Sequence, residues 1–234
     1  MKIALFCDSL ARLTDFRAAF TNSGHTLLFI AANSAGHHPL RFLTAQIRQG
    51  LRAFGLSEWI YLVGALLRGR ICLCWKSLEG RGIQQFLARH RPALGLHAAG
   101  TLYRRNVIAS CGLGILNAHP GALPKYRGRS VMEWSLLCGD VTGVTVFFID
   151  EGIDTGERIV LFKSIALDEI ADLDKAKRCL FRQDAVLYRE AVDLLAAPDV
   201  RFRSNNVSQG LRFYEMSCLF RAALQLSRRE ASSG

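Results

Sequence analysis

Residues 2–32, KIALFCDSLARLTDFRAAFTNSGHTLLFIAA, read as a strand, a helix and a second strand. Lys2–Cys7 is an apolar run without the polar alternation of a half-exposed strand, so it reads as a buried first strand. Residues Thr14–Phe20 carry helical spacing, with Thr14 as N-cap and Ser23-Gly24 closing the helix. Thr26–Ala32 is a second apolar strand. This order predicts a parallel α/β sheet. Such sheets often bind phosphate at the first strand–helix turn. Here that turn, CDSLARLTD, holds no glycine, so the dinucleotide fingerprint is absent and an NAD-type enzyme is disfavoured.

Further along, residues 33–38 form a polar turn in which His37 and His38 read as solvated loop histidines. Pro39–Arg70 is mainly helical, broken at Gly55, Gly64 and Gly69. Ile71–Leu73 is a short strand, and Gly82–His90 a helix closed by Arg91-Pro92. Ala93–Ala98 is an apolar strand. Gly100, Thr101, Leu102 and Tyr103 lie just past its carboxyl end, where open α/β sheets place ligands. A short helix over Arg104–Ser110 precedes a strand over Ile115–Asn117. Ser130–Leu137 is a helix with Ser130 as N-cap and Glu133 at the capping-box position. Val144–Ile149 and Arg158–Ile165 are strands. Ala171–Leu195 reads as one long amphipathic helix. An extended piece at Leu211–Tyr214 and a short helix follow. The expected fold class is α/β, a Rossmann-like, mostly parallel sheet with helices on both faces. Residues 1–200 form the main domain and 201–234 a short C-terminal extension.

Half of the 234 residues are apolar, enough for a substantial core. The longest clearly apolar stretch, Trp59–Leu67, is too short to span a bilayer and runs into Arg68, Gly69 and Arg70. Met1-Lys2 leads straight into the first strand without a signal-peptide pattern. A soluble, cytoplasmic protein with no membrane partner is therefore expected. Seven cysteines, an odd count with no CxxC, point to reduced thiols. The histidines do not join them at ligand spacing, so no metal site is expected. The formal charge of +10 fits either the steering of anionic partners such as folates, nucleotide sugars or RNA, or arginines spread over solvated faces. No basic block with interleaved aromatics occurs, so nucleic acid is not expected as a partner.

Two loops concentrate the polar chemistry: residues 117–130, NAHPGALPKYRGRS, and residues 143–156, GVTVFFIDEGIDTG. Asn117 and His119 are two residues apart, so on an extended backbone they share a face. An Asn amide and an imidazole aimed at one point can bind the oxyanion of a tetrahedral intermediate. Asp154 can orient and charge His119, or take the proton of an attacking amine. No serine or cysteine is needed if the substrate's own amine is the nucleophile. For the neighbours the structural reading carries more weight: Tyr126 packs the loop, and Arg127 braces it through carbonyl contacts. His25, His90 and His97 have no evident partner in the sequence.

NAHPGALPKYRG followed by GVTVFFIDEGIDTG resembles the folate-dependent formyltransferases, which include methionyl-tRNA formyltransferase, glycinamide ribonucleotide transformylase and sugar N-formyltransferases. The close match covers about residues 92–165. The resemblance implies the formyltransferase fold and Asn117, His119 and Asp154 as catalytic residues. It further implies 10-formyltetrahydrofolate as the formyl donor. Its pterin would lie against Ile149, Asp150, Glu151, Gly152 and Ile153 and the loop Gly100–Tyr103. Several departures bear on the acceptor. The first turn lacks the glycine-rich phosphate cradle of the glycinamide ribonucleotide enzymes. The chain ends before the C-terminal β-barrel of the tRNA enzyme. Gly121-Ala122 replaces the usual Ser-Leu, and Phe147 stands where many members carry histidine. The expected acceptor is a primary amine of a small molecule, such as an amino sugar nucleotide. A hydrolase of the same donor and a non-catalytic basic binding module are the alternatives, and the oligomeric state is left open.

Overall fold

A computed structural model describes residues 1–32, 38–74, 78, 80–167 and 169–231. Most of the turn expected at 33–38, with His37, lies outside the described residues. The chain forms two compact units, Met1–Leu116 and Asn117–Gly234.

The first unit runs β1 (Lys2–Cys7), α1 (Arg12–Ala19), β2 (Thr26–Ala32), α2 (Pro39–Ala53), α3 (Leu56–Leu67), β3 (Ile71–Cys74), α4 (Arg81–His90), β4 (Leu94–Ala98) and α5 (Arg105–Ile108). Its strands lie in the order β3-β2-β1-β4, and every pairing is parallel. Ile3 to Cys7 are all fully buried, as an uninterrupted apolar run in a covered parallel strand requires. Leu13 and Phe16 of α1 are fully buried as well, and Phe29 of β2 and Leu96 of β4 extend the core. Gly95 is demanded by close packing, since a Cβ there would come within 2.7 Å of the Ile115 side chain.

The helix expected from Thr14 starts earlier, at Arg12, and no side chain caps it. Ser9 Oγ instead accepts from the Ala11 amide at 3.0 Å, tightening the turn one step upstream. The 39–70 stretch breaks into two helices at Phe54-Gly55, where the backbone turns extended. His97 is not without a partner: its Nδ1 lies 2.8 Å from the Tyr103 hydroxyl. His25 likewise has Nδ1 3.2 Å from the chain's amino terminus.

The division between the units falls within β5 (Ile115–His119). The second unit continues with β6 (Tyr126–Gly128), α6 (Val131–Leu137), β7 (Gly143–Phe148), β8 (Arg158–Ser164), α7 (Leu173–Arg182), α8 (Asp184–Leu195), β9 (Arg203–Ser204), a short 3-10 turn (Val207–Gln209), β10 (Leu211–Phe213) and α9 (Cys218–Ala231). The order β5-β7-β8-β9 contains antiparallel pairs, β7 with β8 and β8 with β9. A separate parallel pair joins β6 to β10. The single helix expected over Ala171–Leu195 is two. At the break the Gln183 amide bonds the Leu180 carbonyl three residues back, at 3.0 Å, which interrupts the α-helical pattern. Among the described residues no helix is long and apolar enough to cross a membrane.

Ser130 does not cap α6 by its side chain. Its backbone is left-handed, φ 51°, and its Oγ accepts from the Met216 amide at 3.1 Å. Glu133, expected to turn back on the helix start, is buried and faces Lys177 and Arg221, with N–O distances of 3.8 and 3.9 Å.

Candidate active site

β5 carries Asn117, Ala118 and His119 to its carboxyl end. Asn117 is half-buried, whereas His119 is 3% exposed. The strand is anchored between them: the Ala118 amide donates to the Tyr188 hydroxyl at 2.7 Å, and Tyr188 is fully buried on α8. A hydrogen bond of this kind contributes about 0.5–1.5 kcal/mol net, and more is lost if a buried partner is stranded.

Both ring nitrogens of His119 are engaged. Nε2 lies 2.8 Å from the Tyr126 carbonyl, which can only accept, so Nε2 carries a proton. Nδ1 lies 3.4 Å from Asp154 Oδ1, and the other Asp154 oxygen accepts from the Gly128 amide at 2.9 Å. Of the two ring contacts the Nδ1 side is the looser, because 3.4 Å exceeds the usual N–H···O range of about 2.7–3.2 Å. The ring also meets the Phe147 ring edge to face, with centroids 6.5 Å apart. Phe147, the departure noted in the sequence, is therefore in contact with His119.

Asp154 adopts a left-handed conformation, φ 54°, which Asp tolerates better than most residues but at some cost. Asn205 braces it. That side chain is 3% exposed, and its Nδ2 donates to the carbonyls of both Asp154 and Gly156 at 3.0 Å. Asp150 folds the start of the loop, its Oδ1 accepting from the Gly152 amide at 2.9 Å and the Thr155 hydroxyl at 2.6 Å. Asp150, Glu151 and Gly152 are exposed and Ile153 is half-buried, while Ile149 packs on Leu123, Phe147 and Ile159.

The rest of the 117–130 loop is pinned from several sides. Thr145 Oγ1 donates to the Gly121 carbonyl at 2.6 Å and accepts from the Leu123 amide at 3.1 Å. Tyr126 donates to Asp140, which also pairs with Lys125 at 2.6 Å. Burial first, then the Asp140 carboxylate, holds the Tyr126 phenol well above its usual pKa. The Lys125 ammonium and the Tyr126 hydroxyl hold Asp140 below its own. Arg127 braces the loop through carbonyls, as expected, donating to Val207 at 3.1 Å and Gly210 at 3.3 Å. β6 and β10 then zip together, and Gly128 is the residue that permits it. Its φ is +101°, and a Cβ there would lie 2.2 Å from the Phe213 carbonyl oxygen. Gly121 has a similar logic: a Cβ would come 2.9 Å from His119 Nε2, so the serine usual in the other subfamilies would have to displace the imidazole or the loop.

The structure thus brings His119 and Asp154 together and leaves Asn117 on the same strand two residues away. The remaining predicted residues lie in the first unit. Gly100 and Leu102 are exposed, Thr101 is half-buried, and Tyr103 is buried with its hydroxyl on His97 and its ring against Phe6. Sequence reasoning missed Asn205, Tyr188 and Thr145. Only Thr145 had a local signal, as a polar residue inside an apolar strand. Among the described residues no cluster of His, Cys, Asp or Glu could hold a metal ion.

Comparison with known proteins bears on the family and the fold. The family model described as formyl transferase matches residues 83–192, which contain both loops. Methionyl-tRNA formyltransferase of Chloroflexus aggregans is 34% identical over 178 residues, 75% of this chain and 57% of that protein. The chain thus spans a little over half the length of that relative. A 4-N formyltransferase from Francisella tularensis superposes with a TM-score of 0.64 at 14% identity, covering 97% of this chain and 87% of that one. The formyltransferase PseJ from Anoxybacillus kamchatkensis, solved with UDP-4,6-dideoxy-4-formamido-L-AltNAc and tetrahydrofolate, superposes at 0.57 with 17% identity, covering 92% and 86%. These likenesses establish the Rossmann-like, mostly parallel formyltransferase fold. The chain carries a formyl transferase family region over residues 83–192.

Proposed function

We propose that the protein moves the formyl group of 10-formyltetrahydrofolate to a primary amine of a small molecule, with an amino sugar nucleotide as the preferred class. The observation that carries this reading is His119, buried and held between the Tyr126 carbonyl and Asp154, beside a half-exposed Asn117 amide. The donor supplies an activated formyl carbon. Asn117 and His119 place N–H donors where the formyl oxygen gains negative charge as the amine attacks. Nδ1, 3.4 Å from Asp154, is the ring nitrogen that can turn to that oxygen when it carries a proton. Asp154, already accepting from Gly128, receives the amine's proton and returns it to the departing nitrogen of the donor.

The residues present fit such a donor. The exposed 150–152 turn presents backbone in a fixed Asx turn, and Asn117 and His119 offer neutral or cationic donors rather than a competing carboxylate. The assignment of Gly100–Tyr103 to donor binding rests on the family resemblance. The acceptor class rests on the sugar nucleotide in the related complex and on the chain's net charge of +10, which favours an anionic acceptor.

The test is a panel of primary amines, including amino sugar nucleotides, incubated with 10-formyltetrahydrofolate and either wild type or His119→Ala. Formylated amine from wild type alone is expected. Formate released with every amine unmodified would assign a hydrolase instead, and equal product from the variant would remove His119 from the chemistry.

A further inference from the structure

The apolar stripes of α2 and α3 are turned outward. On α2, Leu40, Leu43, Ile47 and Leu51 are all exposed, Leu51 by 68%. At about 100° per residue they fall within an arc of roughly 80°. The buried face of the same helix, Phe42, Gln46 and Gly50, lies to one side of this arc. Arg41, Arg48 and Arg52 lie to the other side, also exposed. No Asp or Glu occurs anywhere in α2. On α3, Leu56, Ile60, Val63 and Leu67 repeat the pattern, with Leu67 exposed by 84%, while Leu62 and Ala65 face the core. The one carboxylate between residues 39 and 70, Glu58, is held by Arg17 at 3.1 Å.

α2 thus buries one face, exposes a separate apolar face, and carries arginine as the charge on the flank of that face. The inner face is satisfied by the core. The outer face combines apolar side chains with a single sign of charge, the pattern that lies in the interface of an anionic membrane. We propose that α2 and α3 seat the first unit on an anionic lipid surface, with the leucine and isoleucine side chains in the acyl boundary and the arginines at headgroup phosphates. This departs from the sequence expectation that no membrane is involved, and it is independent of the reaction assigned above.

Charge complementarity selects this occupant. A second copy of the chain meeting the same face about a two-fold axis would gather Arg41, Arg48 and Arg52 from both copies around one seam, with no acidic residue of α2 to offset them. Phosphodiester headgroups supply the missing anions. The spacing also fits: α2 is 15 residues long and so about 22 Å, enough to lie flat and too short to span.

The experiment is flotation of the purified full chain with vesicles of phosphatidylcholine alone and of phosphatidylcholine mixed with phosphatidylglycerol, at low and high salt. Wild type is expected to float with the mixed vesicles at low salt and to be released at high salt. A variant with Arg41→Gln, Arg48→Gln and Arg52→Gln should lose about a hundredfold in partitioning, at roughly fivefold per arginine near an anionic surface. A variant with Leu43→Glu and Ile47→Glu, at exposed positions and with unchanged circular dichroism, should stop floating altogether. The proposal is overturned if wild type fails to float with mixed vesicles, or if it floats equally well with phosphatidylcholine alone. It is overturned too if sedimentation shows a concentration-dependent dimer that the Leu43→Glu, Ile47→Glu variant abolishes, since a second copy then covers the face.

Discussion

Two strand-end loops named by the same family resemblance are built in opposite ways. The loop after β5 is fixed at nearly every step: Ala118 by Tyr188, His119 by Tyr126 and Asp154, Gly121 and Leu123 by Thr145, Arg127 by Val207 and Gly210. The loop after β4 is held at Tyr103, with its hydroxyl on His97 and its ring against Phe6, and leaves Leu102 71% exposed. Chemistry that depends on donor placement tolerates little misplacement, so the residues that would perform it sit in an over-determined loop. A segment that only has to lie against a ligand can be left open to solvent. The contrast separates a loop pinned from several sides from a loop left open to solvent.

The largest effect should come from Gly128→Ala. The added methyl collides with the Phe213 carbonyl at a left-handed φ, so β6 and β10 cannot pair, and the Asp154 anchor on the Gly128 amide goes with them. A lowered melting temperature together with loss of formyl transfer is expected; an unchanged melting curve would mean that the β6–β10 pair does not hold the loop. Next comes Asn117→Ala, which removes one donor and should cost on the order of 10²–10³ in kcat with little change in stability. A loss confined to KM would reassign Asn117 to ground-state binding.

Asn205→Ala should cost about 1–3 kcal/mol of local order around Asp154. Hydrogen exchange of the 154–156 amides, compared with that of β1, is the measurement. Faster exchange in the loop alone is expected, and uniform acceleration would make Asn205 a general stability residue. Leu102→Ser, in the open loop, should leave stability and kcat unchanged and raise KM for the donor. The smallest effect is pH-dependent. Asp140 titrates below its ordinary range in the folded protein because Lys125 and Tyr126 bond it. The stability it contributes is therefore present above the unfolded carboxylate pKa and is lost as pH falls through the lowered folded value. The melting-temperature gap between wild type and Asp140→Asn should accordingly close on acidification, and a gap that widens would reverse the assigned sign.

The parts of this molecule that were legible in the sequence are those with local signals. Uninterrupted apolar runs marked β1, β2 and β4 because both faces of these strands are covered. The polar, proline- and glycine-rich stretch at 117–130 marked a turn because few other functions need that mixture. The pair His119 and Asp154 was reached through the family pattern, since nothing local relates residues 35 positions apart. Asn205 and the β6–β10 pair were hidden for the same reason. Tyr-Arg-Gly has no strand periodicity, and its partner Leu211–Phe213 lies far along the chain. The segment read as a C-terminal extension supplies both. α2 and α3 show the converse limit: the sequence read as mainly helical over 39–70 with breaks at Gly55, Gly64 and Gly69, whereas α3 runs through Gly64, and only packing decides which face of each helix is buried.

The claim that the chemistry belongs to the fixed loop is tested most directly by the single-turnover rate of formyl loss from 10-formyltetrahydrofolate in Asp154→Asn, at saturating donor and acceptor. The account predicts a fall of about 10²–10⁴ with donor affinity and melting temperature retained, because the proton acceptor is lost while the bond from Gly128 can persist. An unchanged rate, or weaker donor binding with the chemical step intact, would contradict it.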